Sequence, residues 1–359
     1  MGSYLLWVAV AAGVIIAAEL AIRAAAPRIA HLLVWRDWEC QHKVAAIESL
    51  AARGGASVVC IGSSPMNSAF DAQHFTELAR LGRPAFNASL NAATIRTLEP
   101  WTREVLLPKL HPELLILGLN SSEVNDNNIV GERGFKMFQS SLGVRRLRRS
   151  TATIGQRLIL WLEERSFLVR YRHFLREPGS WGMKIPPSVR LRRLMKDAKG
   201  PFRRNRGETM SVTPFGMLHA LAYFEGVPYQ LTDRVIKTWK QIVVDYEVGG
   251  HELAALRRLV ESTRSAGTAV LIVLMPVTQD WIDVHADGRS DFDRFKRALD
   301  DFVEESGVAF VDLMPLLTER SDYADAVHRN SGGRKHYTEA LHGFTTDLMA
   351  ASGTARGET

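Results

Sequence analysis

Cysteine is nearly absent: Cys40 and Cys60 are the two in 359 residues, too few for a disulfide framework. Cys60 falls inside an apolar run and reads as a small core residue. The pair leaves the redox compartment open. No Cys/His cluster has metal-ligand spacing, so neither a metal nor a cofactor is expected. Internal repeats are missing too, as are basic residues ahead of the N-terminal apolar run, which a cleaved secretory signal would want. Disorder is excluded by composition, because 46% apolar against 23% charged residues supplies ample surface to bury a core.

Charge is missing altogether from Tyr4 to Ala18, and only Glu19 and Arg23 interrupt the stretch up to Ala26, ahead of Pro27. That length suits a bilayer, which needs about 20 predominantly apolar residues. A membrane anchor over residues 1–26 is the expectation; a cleaved signal and a buried helix are the alternatives. Arg23, Arg28 and Arg36 follow the span, and the positive-inside rule then favours a cytoplasmic remainder.

Positive charge is unevenly spread. From Arg145 to Arg206 there are 18 Lys or Arg against four acids, while the whole chain carries +6, so the rest of the molecule is net acidic. Such concentration suits a patch that meets lipid headgroups or an anionic polymer, and Arg145, Arg146, Arg148 and Arg149 are the docking candidates. No nucleic-acid recognition motif accompanies them, and nucleic acid is not an expected partner. Leu158, Trp161, Leu162, Leu168, Tyr171 and Leu175 recur at spacings near three and four, which predicts an amphipathic basic helix. It could lie on a membrane or pack on its own domain. Pro186-Pro187 and Gly200-Pro201 break the region further on.

Chemistry is concentrated elsewhere. The run Ser57-Val58-Val59-Cys60-Ile61 ends in Gly62-Ser63-Ser64, so a serine follows a predicted strand at the edge where α/β proteins build sites. A serine hydroxyl needs a histidine to take its proton and a carboxylate to fix the imidazole tautomer. Asp325 and His328, three residues apart, can present both groups on one side of a turn. Asn120 follows the run Leu114–Leu119, and the small-residue loop Phe86–Thr94 follows the second predicted strand. Asn125 and Asp126 compete with Asn120, Ser63 with Ser64, and His336 and His342 stand behind His328.

This order of serine, small-residue loop, Gly-x-Asn and Asp-x-x-His resembles the SGNH hydrolase family, also called GDSL-type esterases. Its four blocks occur in that order on a flavodoxin-like fold. The resemblance covers about Ala56 to Leu341, with a long interruption. It implies Ser64 as nucleophile, His328 as base and Asp325 as its orienter. Ser63 stands where that family has aspartate. Ser64, Ala92 and Asn120 would form the oxyanion hole, Ala92 replacing a glycine and Asn120 following Gly118. Ser63, Asn91, Met275 and Pro276 are candidate pocket residues.

The alternation of elements agrees. Strands are predicted over Ser57–Ile61, Pro84–Ala88, Glu113–Leu117, Thr268–Met275 and Val308–Leu313, and helices over His251–Ala266, Asp291–Ser306 and Arg334–Met349. Right-handed crossovers then give a three-layer α/β/α sandwich on a parallel sheet of about five strands. The expected division is an anchor (1–26), a linker and first helix (27–55), the catalytic domain in two parts (56–126 and 247–359), and a basic, mostly helical insertion (127–246). The resemblance implies acyl transfer or ester hydrolysis, with an envelope glycan or an ester as substrate. A multi-span membrane O-acyltransferase is an implied partner and an extracytoplasmic catalytic domain an implied location. A hydrolase of small or lipid esters and a lapsed glycan-binding protein are the alternatives.

Overall fold

In a computed structural model of the chain, residues 2–29, 34–35, 37–176, 212–217, 228–316 and 319–354 are described. Pro186-Pro187, Gly200-Pro201, Arg36 and the basic stretch beyond residue 176 lie outside them. Five strands form one sheet: β1 Val58–Ile61, β2 Ala85–Asn87, β3 Leu114–Leu119, β4 Ala269–Leu274 and β5 Ala309–Asp312. In chain order the helices are α1 Gly2–Ile29, α2 Trp38–Ala51, α3 Ser64–Ala69, α4 Ala72–Leu78, α5 Ile95–Trp101, α6 Leu107–Leu110, α7 Ile129–Gln139, α8 Leu142–Leu147, α9 Ile154–Arg165 and α10 Phe167–Arg176. They continue with α11 Asp233–Lys240, α12 His251–Ser265, α13 Gln279–Val284, α14 Arg289–Ser306 and α15 Ser331–Thr354.

The sheet order is β2-β1-β3-β4-β5. All pairings are parallel, with Val58 opposite both Ala85 and Leu114, and Leu114 opposite Ala269. Every residue of β1 and β3 is buried, as expected of parallel strands covered on both faces. On one face Val58, Cys60, Leu114, Ile116, Leu271 and Val273 pack with Met66, Phe70, Phe75, Tyr337 and Leu341 from α3, α4 and α15. On the other side α12 packs on β4, and α5 packs on α12. This is the three-layer flavodoxin-like arrangement that the sequence predicts, its strands differing from the expected bounds by one or two residues.

Two compact units divide the chain differently from the expected domains. One comprises Met1–Gln41 with Met137–Gly207, and the other His42–Lys136 with Glu208–Thr359. Among the described residues, 127–136, 212–217 and 228–246, assigned by sequence to the insertion, fall with the sheet-bearing unit. The single amphipathic helix expected around Leu158–Leu175 is two helices, α9 and α10, broken at Ser166.

Strand order reverses at β1, so the carboxyl ends of β1 and β3 open side by side. Close approach there requires glycine. A Cβ on Gly62 would stand 2.6 Å from Met66 Cβ and 2.9 Å from the Gly118 carbonyl oxygen. Gly62→Ala is expected to destabilise the protein by about 1–3 kcal/mol through overpacking, read as a lower urea midpoint in detergent. An unchanged midpoint would mean that the end of β3 yields at no cost.

Candidate active site

Ser64 opens α3 directly after β1, with Pro65 in the first turn. Its Oγ lies 2.9 Å from His328 Nε2. On the other side of the ring, His328 Nδ1 is 2.7 Å from Asp325 Oδ2 and 2.9 Å from Oδ1. The local turn explains how the Asp-x-x-His spacing achieves this: Asp325 Oδ1 also accepts the backbone N–H groups of Val327 and His328, at 3.0 and 2.9 Å, so the aspartate folds the chain around itself. Burial pushes the Asp325 carboxyl upward, but the adjacent His328 and these hydrogen bonds outweigh it and hold the group below the usual carboxylate range. A carboxylate at Nδ1 fixes the proton there and leaves Nε2 as the acceptor for the serine hydroxyl.

The loop bearing His328 is fastened to the helix bearing Ser64. Arg329 is buried, donates its backbone N–H to Ser68 Oγ of α3 at 3.2 Å, and donates from Nη2 to Tyr323 Oη at 2.7 Å. Its guanidinium also lies 3.8 Å over the Tyr323 ring. Arg334 Nε donates to the Ser68 carbonyl at 3.0 Å. A second buried cation, Lys43, fastens the loop after β2: its Nζ donates to Asn67 Oδ1 at 3.2 Å and to the Asn87 carbonyl at 3.0 Å, and also reaches the Ser89 carbonyl.

The three expected oxyanion donors converge on one cleft, since Ser64, Ala92 and Asn120 all line it. Asn120 is buried and its Oδ1 is used, accepting from Ser122 N at 2.7 Å. Its Nδ2 has no hydrogen-bond partner among the described residues, which normally carries a desolvation cost of about 1–3 kcal/mol. A donor left in that state is preorganised for an oxygen that arrives with substrate. Ala92 has φ +57°, the left-handed conformation that glycine takes readily and alanine takes at about 1–2 kcal/mol. The turn at Ala92 is thus held at a cost in backbone strain.

The cleft is small, about 60 Å³, and is also lined by Trp239, Ile242, Trp281, Val130 and Val327. Trp239 and Trp281 meet edge to face at 5.7 Å. Of the four expected pocket residues Ser63 lines the cleft, and the other three lie elsewhere. Met275 and Pro276 are buried, and Met275 accepts from Tyr337 Oη at 3.1 Å beneath the sheet. Asn91 is exposed and accepts from Asn67 Nδ2 at 3.1 Å, outside the cleft lining. Asn125 and Asp126 are structural, Asp126 accepting from the Gly250 and Glu252 N–H groups at the start of α12. His336 pairs with Asp322, and His342 stacks against Phe75.

Sequence reasoning missed Glu123. It is 1% exposed, and its two oxygens join the two strand ends, one accepting from Ser63 Oγ and the other from Asn120 N at 2.7 Å. Ser63 is therefore committed to a carboxylate, while Ser64 faces the histidine. Burial pushes the Glu123 carboxyl up to about 7 against the lowering effect of those bonds. Trp239, Ile242 and Trp281 were missed as well. The only signal for Glu123 was a carboxylate three residues past the strand-end asparagine, and Trp239 has no local signal at all.

The arginines expected to face an anionic surface are largely engaged within their own unit. Arg145 Nη2 lies 3.0 Å from Glu163, while Arg146 Nε and Arg149 Nη1 lie 3.4 and 3.8 Å from Glu164. Arg148 donates to Gln139. Their charge is partly neutralised within the unit. Among the described residues no group of His, Cys, Asp or Glu could hold a metal ion.

No family model matches this chain, and no curated protein does. Solved structures that are similar include a GDSL-like lipase from Bacteroides thetaiotaomicron (9% identity, TM-score 0.36, covering 87% of this chain and 99% of that one). A carbohydrate acetylesterase from Sinorhizobium meliloti is 10% identical (TM-score 0.35; 82% and 99% covered). A variant of an acetylxylan esterase from Geobacillus stearothermophilus is 12% identical (TM-score 0.35; 80% and 93% covered). Likenesses this distant decide nothing about the chemistry here, which rests on the chain's own geometry.

Two outcomes are expected. Ser64→Ala should abolish labelling by a serine-directed fluorophosphonate and Ser63→Ala should not; the reverse pattern would make Ser63 the nucleophile. The second concerns Glu123, whose carboxyl holds a proton in the folded chain that the unfolded chain releases above its ordinary 4.5. Its contribution to stability is then complete below that value and is lost as pH rises through about 7. Thermal melts of Glu123→Gln should accordingly gain on the parent protein as pH rises from about 5 to about 8. Glu252, also pushed up to about 7 by burial, is common to both proteins and cancels in the difference. A pH-independent difference would remove the assignment.

Proposed function

We propose that this chain is a membrane-anchored serine esterase or O-acyltransferase of SGNH type, which moves a small acyl group, acetyl foremost, on or off a hydroxyl of an envelope glycan. The observation that carries this reading is Ser64 Oγ at 2.9 Å from His328 Nε2, in the same cleft as the unpartnered Nδ2 of Asn120.

The reaction follows from the proton positions. Ser64 Oγ attacks the acyl carbonyl carbon and its proton passes to His328 Nε2. The imidazolium so formed is held by Asp325. Charge on the carbonyl oxygen is met by the amides of Ser64 and Ala92 and by Asn120 Nδ2. His328 then returns the proton to the leaving alkoxide oxygen, the C–O bond breaks, and an acyl-Ser64 ester remains. A water or an acceptor hydroxyl gives its proton to the same Nε2 and attacks that ester; its acyl group leaves on the new oxygen and Ser64 recovers its proton. Water makes the protein an esterase, a glycan hydroxyl makes it a transferase.

The size of the cleft favours a short acyl group. A cleft of about 60 Å³ suits an acetyl group better than a fatty chain. That argues against a lipase of long-chain esters. A lapsed binding protein would have no reason to keep Asn120 Nδ2 unpartnered and Ser64 on its histidine. The anchor reading rests on the 21 residues Tyr4–Ala24, long and apolar enough to cross a membrane and not buried against the protein. An outward-facing catalytic domain and a multi-span membrane O-acyltransferase as donor complete the proposal.

Intact-mass measurement after exposure to p-nitrophenyl acetate tests it. An acetyl adduct should form on the parent protein and be missing from Ser64→Ala, and p-nitrophenyl octanoate should react about tenfold more slowly or worse. Asp325→Asn should lower turnover by about four orders of magnitude, and Asn120→Ala by about 100- to 1,000-fold. Absence of any adduct on the folded parent protein would leave a binding protein.

A further inference from the structure

Glu19 sits where a carboxylate is expensive. Tyr4–Ala24 is 21 residues long, about 31 Å of helix at a rise of 1.5 Å per residue, and Glu19 lies about 8 Å inside its C-terminal end. An ionised side chain at that depth needs partners, and α9–α10 provides them. Glu19 accepts from Ser166 Oγ and from the N–H groups of Phe167 and Leu168, each at 2.9 Å. Arg23, 3.3 Å from Glu19, donates to the Arg165 carbonyl at 3.1 Å. One ion pair of α1 thus caps the end of α9 and the start of α10 together, and the corner is tied to the apolar helix at that level.

A second, independent observation concerns the exposed side chains of α9. Ile154, Leu158 and Trp161, one face at spacings of four and three, are 88%, 56% and 43% exposed. Arg165 lies 4.5 Å over the Trp161 ring. Apolar side chains with an aromatic and a stacked arginine at their rim are the composition of a helix lying in the headgroup region.

We propose that α9 is an interfacial helix, its Ile154–Leu158–Trp161 face turned into the phospholipid leaflet from which α1 emerges and held at that depth by Glu19. The inference rests on the reading that α1 crosses a membrane. Lipid is the occupant that the continuity with α1 favours. It also moves the docking surface from the paired arginines around Arg145–Arg149 to the apolar face of α9.

The test uses the full chain in phospholipid nanodiscs containing anionic lipid, with an environment-sensitive fluorophore on Leu158→Cys or Val8→Cys; Cys40 and Cys60 are buried. Lipids spin-labelled near the headgroup should quench the Leu158 probe by half or more, and lipids labelled deep in the chain should quench the Val8 probe. Adding Glu19→Ala should cut the Leu158 quenching at least twofold and leave that at Val8 intact. A quenched Val8 probe with an unquenched, water-like Leu158 probe overturns the proposal and spares the anchor. A blue-shifted but unquenched Leu158 probe means that protein covers the face, and overturns it too. If Val8 is unquenched, the anchor reading fails and takes this inference with it. Unaltered Leu158 quenching in the Glu19→Ala protein would remove Glu19 as the tether.

Discussion

The contact on which the candidate site depends is Ser68, one turn of helix beyond the proposed nucleophile. Its hydroxyl receives the backbone N–H of Arg329, and its carbonyl receives Arg334 Nε. The serine and the histidine stand 264 residues apart, on the first and last parts of the sheet-bearing unit. A hydrogen bond of 2.9 Å between them survives only if the two backbones are held to a few tenths of an ångström, since misplacement by about 1 Å can cost about 100-fold in rate. Arg329 meets that demand by filling its own surroundings: stacked on Tyr323, bonded to its hydroxyl and buried, it leaves its loop few alternatives.

Glu123 plays the same part between β1 and β3. A buried carboxyl group whose two oxygens meet Ser63 Oγ and the Asn120 N–H couples the positions of those two residues. Serine at position 63 is short and cannot itself reach across to β3, so the carboxylate has to come from the far side. Ser63 and Glu123 are thereby a unit that neither position reveals alone.

Much of this was legible because parallel strands buried on both faces must be continuous apolar runs, and their ends announce themselves by glycine and small polar residues. Ser64 and Asn120 were found that way, and Asp325 and His328 by their spacing of three and by the resemblance. Met275 was misplaced for a reason the same physics supplies: with a period of two, Leu271, Val273 and Met275 all point to the α3–α4–α15 side, so a residue just past the strand end still followed the strand into the core. Trp239, Ile242 and Trp281 were illegible because nothing local distinguishes a wall residue from a core residue; only the packing of segments more than a hundred residues from Ser64 does. The break at Ser166 was hidden likewise, since the group that meets its exposed donors is Glu19, 147 residues away.

Ala92 shows how far a departure from a pattern can go before it matters. Glycine is favoured at such a turn because a positive φ costs it nothing, and the demand of the chemistry is on the amide, which alanine also has. At φ +57° the alanine has accepted the glycine's conformation, and the loop is held there by Lys43 through the Asn87 and Ser89 carbonyls. A strain of about 1–2 kcal/mol is within reach of one buried ammonium with several acceptors, whose charge-assisted bonds contribute about 1.5–3 kcal/mol each. Lys43 and Ala92 are therefore best understood together: the cation on α2 overdetermines the loop, and an overdetermined loop can carry a residue that its own backbone preference would reject.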